Sequence, residues 1–173
     1  VTDTSLKSIQ KFSSTGTFIS TIRNSSTANG KFTRPEDIAY DSVGNLYVLD
    51  NGSTEARVQK FTNSGTYIST VLTQVDLGNS VYHMRISDDL IYTSHGYGVK
   101  VWNLDGTLNF EFGAPGTGDG EFDQARGIGV DSSGNIYVSE RHIKLPKIGL
   151  VRVKKHRDFD GLIKSVTVSK NPS

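Results

Sequence analysis

Four side chains of this 173-residue chain are of types that could do chemistry together: Glu36, Asp37, His83 and Arg126. Imidazole and carboxylate are ligands for a divalent metal, which lowers the pKa of a bound water for hydrolysis. Two copies each of Asp37 and His83, gathered about one axis, could chelate such an ion. Arg126 could then hold a phosphate or carboxylate bidentately, and Glu36 could act as a general base. Each residue also has a structural role open to it. His83 could sit at a core edge, and Glu36 and Arg126 could form ion pairs between neighbouring sheets.

No familiar catalytic signature accompanies them. The chain contains no Cys, which excludes thiolate nucleophiles and Cys-ligated zinc. It has no G-x-S-x-G, no H-E-x-x-H and no phosphate-cradling glycine motif. The Gly-rich run "GAPGTGDGEF" (Gly113 to Phe122) joins strand to strand rather than strand to helix, and reads as a loop over one face. His95, beside Gly96 and Gly98, reads as a loop residue. Asp41 and Asp131 read as turn residues, and Trp102 as core.

What must position these side chains is a repeat. "DSVGNLYVLD" (Asp41 to Asp50) returns as "DSSGNIYVSE" (Asp131 to Glu140), and Tyr47, Tyr92 and Tyr137 fall 45 residues apart. Each unit reads as four short strands. The first is "EDIAYD" (Glu36 to Asp41), "YHMRIS" (Tyr82 to Ser87) or "RGIGVD" (Arg126 to Asp131). The second is "NLYVLD", "LIYTSH" or "NIYVSE". The third is "SIQKF", "RVQKF" or "VKVW", and the fourth follows "SGT" or "DGT". Between first and second strands, Asp41 to Gly44 suits a type I turn, with the Asp side chain bonding local backbone and Gly taking positive φ. Aligning the units places Glu36/Asp37, Tyr82/His83 and Arg126/Gly127 at the entry to the first strand of each. Four antiparallel strands every 40 to 50 residues make a propeller blade.

The stretches "GKFTRPEDIAYDSVGNLYVLDNGSTEARVQKF" and "GEFDQARGIGVDSSGNIYVSE" resemble NHL repeats, the blades of NHL-type β-propellers, over residues 1 to about 139. The middle unit departs from the pattern, lacking the Gly-Asn turn and the leading Pro. The resemblance implies an all-β propeller whose first strands line a central channel. It implies a binding scaffold offering that polar channel to a protein, glycan or small ligand. It also admits a metal-dependent hydrolase or lyase with a divalent metal on the propeller axis.

About three blades are present. Residues 1 to 23 supply third and fourth strands, and Arg126 to Ser139 supply first and second. Open blades would expose on the order of 500 Å² of apolar face at each end, worth on the order of 12 kcal/mol at ~25 cal/mol per Å². A two-fold homodimer that exchanges these complementary halves would close a six-bladed ring. The alternative is a piece of a longer propeller.

After Ser139 the expected "RVQKF" strand does not arrive. The chain is therefore expected to divide into propeller blades (1–139) and a basic tail of separate origin (140–173). Its segment "IKLPKIGLVRVKKHRDFDGLIKSVTVSKNPS" resembles the β-rich part of IS200/IS605-type OrfB (TnpB) transposases. None of that family's nuclease carboxylates lies in it. Alternation in "GLVRVKKH" and "LIKSVTVS" about Asp160-Gly161 suggests a hairpin. That hairpin could pack beside the last half-blade or fill its missing strands.

Composition agrees with this division. Eighteen Gly and 35% hydrophobic residues suit short strands and tight turns. Residues 1–140 carry 10 basic against 16 acidic residues, and residues 141–173 carry 9 against 2. The cluster Lys154, Lys155, His156 and Arg157 reads as solvated charge. Nucleic acid is a poor partner for so acidic a body with so little aromatic interleaving. No run approaches the ~18 apolar residues of a membrane span, and Val1 opens on no leader pattern.

Overall fold

Short alternating apolar runs, broken every five or six residues by Gly, Asp or Asn, can bury one face only by folding into narrow antiparallel sheets. A computed structural model of the chain, describing residues 1–23, 28–52, 55–78 and 80–141 and the backbone of 151–156, shows this arrangement. The protein is all-β. Among the described residues the only helix is a single turn, and none is long and apolar enough to cross a membrane. The chain divides into two compact units, Val1–Val81 with Leu104–Gly106, and Tyr82–Asn103 with Thr107–Ser173.

The first unit holds two sheets. β1 (Thr2–Asp3), β2 (Ser8–Phe12) and β3 (Phe18–Arg23) lie in that order, and so do β4 (Pro35–Tyr40), β5 (Leu46–Asn51), β6 (Ala56–Phe61) and β7 (Tyr67–Leu72). A helical turn, α1 (Gln74–Leu77), follows. Its core joins Ile9 to Phe32, Leu46, Val48 and Phe61. The amino-terminal blade therefore carries two residues of a second strand besides its third and fourth.

The second unit repeats the pattern. β8 (His83–Ser87), β9 (Leu90–His95), β10 (Gly98–Asn103) and β11 (Leu108–Phe112) form a four-stranded meander. The Gly-rich connection then pairs β12 (Ala114–Pro115) with β13 (Glu121–Phe122) in parallel. β14 (Ala125–Val130), β15 (Ile136–Arg141) and β16 (Val151–His156) make the last sheet. Val99, Val101, Phe122, Ile136 and Val138 are buried in its core. His95 is not a loop residue: it closes β9, and its Nε2 lies 2.9 Å from the buried Thr93 hydroxyl.

The described part of the tail, β16, fills a missing strand of the last sheet, one of the two placements the sequence leaves open: β15 pairs with β16, Glu140 opposite Arg152 and Tyr137 opposite Lys155. Asp50 stands opposite Arg57 and Tyr47 opposite Lys60 in the same way between β5 and β6. "RVKKH" thus takes the register of "RVQKF", and hydrogen bonding crosses the 139/140 boundary. The edge of β15 that a two-fold exchange of half-blades would use is held by the same chain. Arg157 and the second half of the expected hairpin lie outside the described residues.

The repeated decapeptide is a self-contained turn. Gly44 N–H bonds Asp41 O at 3.1 Å, with Gly44 at φ +89. The Asp41 carboxylate accepts Asn45 N at 2.7 Å, Asn45 Nδ2 at 2.8 Å and the Tyr47 hydroxyl at 3.4 Å. The second copy places Asn135 N, Asn135 Nδ2 and the Tyr137 hydroxyl on Asp131 at 2.9, 2.7 and 3.1 Å. The middle unit substitutes another solution, with Asp88 and Asp89 both at positive φ (50 and 55) as a two-residue hairpin turn requires. Short polar side chains tolerate that conformation.

These turns should respond to acid. Hydrogen bonds, above all from the Asn135 side chain, lower the Asp131 pKa from the ordinary 3.8 to about 2. At Asp41 burial pushes the pKa up, but bonds from Asn45 and Lys60 outweigh it and the net shift is downward. A carboxylate with a depressed folded-state pKa contributes stability fully above 3.8, and the contribution is lost as pH falls through the folded value. Asp131→Asn should lower the melting temperature at pH 6 and flatten its fall between pH 4 and pH 2.5. Parallel thermal melts of both proteins across that range test this.

Candidate functional site

The entry ends of β4 and β14 are fixed by buried acids on the neighbouring strands. Asp50, fully buried on β5, accepts Thr33 N and Thr33 Oγ1 at 2.9 and 3.1 Å and Arg34 N at 2.6 Å through Oδ1. Its Oδ2 takes Arg57 Nε and Nη2 at 3.2 and 3.1 Å. Arg57 Nη2 also donates to Lys31 O at 2.9 Å. Gln59, buried beside it, donates to Lys31 O and accepts from Gly30 N, both at 2.8 Å. One strand pair thus holds the loop from Ala28 to Arg34 by its main chain. A buried charge pair is tolerated only when such bonds saturate it.

This loop presents a small polar group. Arg34 Nη2 lies 2.9 Å from Glu36 Oε1, and Asn51 Nδ2 donates to Glu36 Oε2 at 2.7 Å and to Val81 O at 3.0 Å. The Arg34 side chain is 61% exposed, so this ion pair contributes only about 0–1 kcal/mol to stability. Asp37 follows on β4 and accepts the Ile38 N–H at 2.9 Å. Glu36 therefore pairs within its own segment.

In the second unit Glu140, buried on β15, stands at the position of Asp50 and accepts Asp123 N at 3.2 Å. Arg141 N bonds Gln124 O at 3.0 Å, as Asn51 N bonds Arg34 O at 2.9 Å. On β9 the matching position is His95; Ser94, one residue before it, donates its hydroxyl to Arg126 O at 2.5 Å. The Arg126 guanidinium lies 3.7 Å from the centroid of the Tyr82 ring, and Nη2 donates to Gln124 Oε1 at 3.1 Å. Such a cation–π contact stabilises by about 0.5–1 kcal/mol at an exposed site and more when desolvated. His83 opens β8, half-buried, opposite Ser94.

The structure brings Tyr82 and Arg126 together, by stacking rather than by the ion pair expected for Arg126. Glu36 and Asp37 are neighbours in the first unit, and His83 and Arg126 belong to the second. A protein zinc site takes three or more side-chain ligands. Among the described residues no three His, Asp or Glu side chains converge in that way. The metal centre expected from the sequence draws its donors from two copies of the chain. Asp50, Arg57 and Gln59 are the residues that sequence reasoning misses. Their signal is nonetheless present, since an acid ends each "YVLD" or "YVSE" strand and an Arg opens each "RVQKF" or "RVKKH".

No family model and no curated protein matches the sequence. Among solved structures the chain is similar to one described as a nidogen/laminin complex, with TM-score 0.53 and 19% identity over 70% of this chain and 43% of that one. It is similar also to a streptogramin B lyase, with TM-score 0.50 and 15% identity over 70% of this chain and 36% of that one. This chain spans less than half the length of either. Both neighbours have β-propeller-type folds, and this chain shares that fold.

The buried pair sets a stability test. Removing one partner strands the other charge, so Asp50→Asn or Arg57→Met alone should cost about 3–5 kcal/mol. The double variant should cost less than the sum of the two, because neither charge then remains buried. Urea unfolding midpoints of the four proteins give the coupling directly, and additive losses would show that the pair does not act as a unit.

Proposed function

We propose that the chain is part of an NHL-like propeller acting as a binding scaffold, with polar side chains at the entry ends of its first strands, in each unit by itself, as contact surfaces for a small ligand, glycan or protein. The supporting observation is rigid display. Buried Asp50 and Glu140 hold the loops ahead of β4 and β14 by main-chain bonds. Arg34, Glu36, Asn51 and Arg126 consequently start from fixed positions. Side chains ordered before contact lose less entropy on binding, which favours affinity without chemistry. Arg126 suits a carboxylate or phosphate group, because its guanidinium is oriented by Tyr82 and Gln124.

The solved neighbours fit this reading without adding an activity. One is described as a complex with laminin and the other as a lyase, and at 19% and 15% identity each supplies the fold. The tail's likeness to transposases adds no catalytic group, and its described part, β16, serves the last sheet as a strand.

A thermal-shift panel of small carboxylates, phosphate esters and glycans tests the proposal. One class should raise the melting temperature, and the rise should fall by at least about half in Arg126→Ala, a loss consistent with one bidentate contact. The ligand should be recovered unchanged. Conversion of an ester or phosphotriester that requires added divalent metal and is lost in His83→Ala would replace the scaffold by a hydrolase.

A further inference from the structure

Two equivalent positions carry different charge in the two units. Asn51 N bonds Arg34 O and Arg141 N bonds Gln124 O, so Arg34 corresponds to Gln124 and Glu36 to Arg126. Strand register shifts at both places, after Pro35 and after Ala125, which sets Glu36 and Arg126 in bulges that re-aim a side chain. In the first unit the pair closes on itself, with Arg34 Nη2 2.9 Å from Glu36 Oε1. In the second unit the cation stands at the bulge, and its two contacts, the Tyr82 ring and the Gln124 carbonyl oxygen, are neutral. No carboxylate among the described residues pairs with Arg126. Its charge is oriented without being neutralised.

Gln124 keeps that orientation at the expense of its own backbone. Its φ is +62, a left-handed conformation that Arg34 does not share and that residues with a Cβ rarely adopt. There its N–H reaches Gly96 O at 2.9 Å, its C=O accepts Arg141 N at 3.0 Å and its Oε1 accepts Arg126 Nη2 at 3.1 Å. Strain held in place by surrounding bonds clusters at ligand sites. Gly96 O also accepts Ala125 N at 3.3 Å, which fastens the turn between β9 and β10 to the segment leading into Arg126. Tyr97, next in that turn, is 57% exposed. β14 packs against β8 and β9, and all of these groups belong to the second unit.

The groups left for a ligand are specific. With one Nη2 hydrogen on Gln124, the guanidinium keeps one two-pronged edge, the match for a carboxylate. Gln124 Nε2 sits on the same carboxamide as the oxygen that meets Arg126, so it offers hydrogens beside that edge. One positive charge among neutral donors suits a singly charged carboxylate better than a doubly charged phosphate. A flat aromatic acid would leave Gln124 Nε2 without an acceptor, whereas a sugar supplies hydroxyls for it and an apolar face for Tyr97. We propose that Arg126, Gln124 and Tyr97 form a subsite for a uronate, the carboxylate-bearing sugar of an acidic glycan. The carboxylate lies on Arg126, a ring hydroxyl on Gln124 and the sugar face on Tyr97. This assignment rests on the scaffold reading and names the ligand class of its second unit.

Calorimetric titration of a galacturonate tetrasaccharide into the intact chain, beside the methyl ester of the same sugar, tests this. Saturable binding of the acid is expected, weakened at least about tenfold by esterification, which removes the charge and keeps the sugar. Gln124→Gly adopts φ +62 without strain and removes only the amide, so it should fold, as circular dichroism will show, and weaken binding similarly. Arg126→Lys keeps the charge but loses the fork, and should not preserve the affinity. Tyr97→Ala should also weaken binding, while Ile68→Ala on β7 should leave it unchanged. No saturation by about 1 mM, equal binding of the methyl ester, or unchanged affinity in both Gln124→Gly and Arg126→Lys overturns the assignment. A phosphate ester bound at Arg126 in place of the uronate overturns it too and leaves the scaffold reading standing. That reading falls separately, if no ligand class in the thermal-shift panel binds.

Discussion

A carboxylate with no solvent exposure, Asp50, lies against a guanidinium that is itself 7% exposed, Arg57. Neither charge can be left alone there, because an unpaired buried ion costs several kcal/mol. The chain meets that demand with three backbone or hydroxyl donors on one oxygen and the guanidinium on the other. These partners come from the loop ahead of β4, so satisfying the pair also fixes where that loop runs. The loop's Phe32 then fills the core, and Arg34 and Glu36 emerge at a set place on the surface. Burial, loop path and display of polar groups follow from one ion pair.

The second unit shows what the constraint requires and what it leaves free. Glu140 keeps the acid and its bond to the loop that precedes β14. On β9 His95 occupies that position, its Nε2 2.9 Å from Thr93 Oγ1. The buried acid at the end of the second strand that ties down an entry segment is common to β5 and β15.

Much of the fold is legible in the sequence because strand and turn signals are local. The Asp41 and Asp131 turns depend on residues within six positions, so their recurrence is enough to place them. His95 is misplaced by sequence reasoning because the glycines after it signal a loop, while Gly98 is itself the strand partner that pairs with His95 across β9 and β10. Distance obscures the role of Val151–His156. Nine residues, 142–150, separate β15 from β16 where four, 52–55, separate β5 from β6, and an insertion of that size hides a repeat while costing little in loop entropy.

The order of residues alone determined the all-β class, the turn chemistry and the repeat, because each rests on spacing within a few positions. It also supplied the acids and arginines that end and begin adjacent strands. Tertiary structure decided which of them meet: that Asp50 is buried by Arg57, that Arg126 lies on Tyr82, and that β16 completes what β15 began. Those outcomes depend on register and on which side chains lose their water, and both are properties of strands packed together.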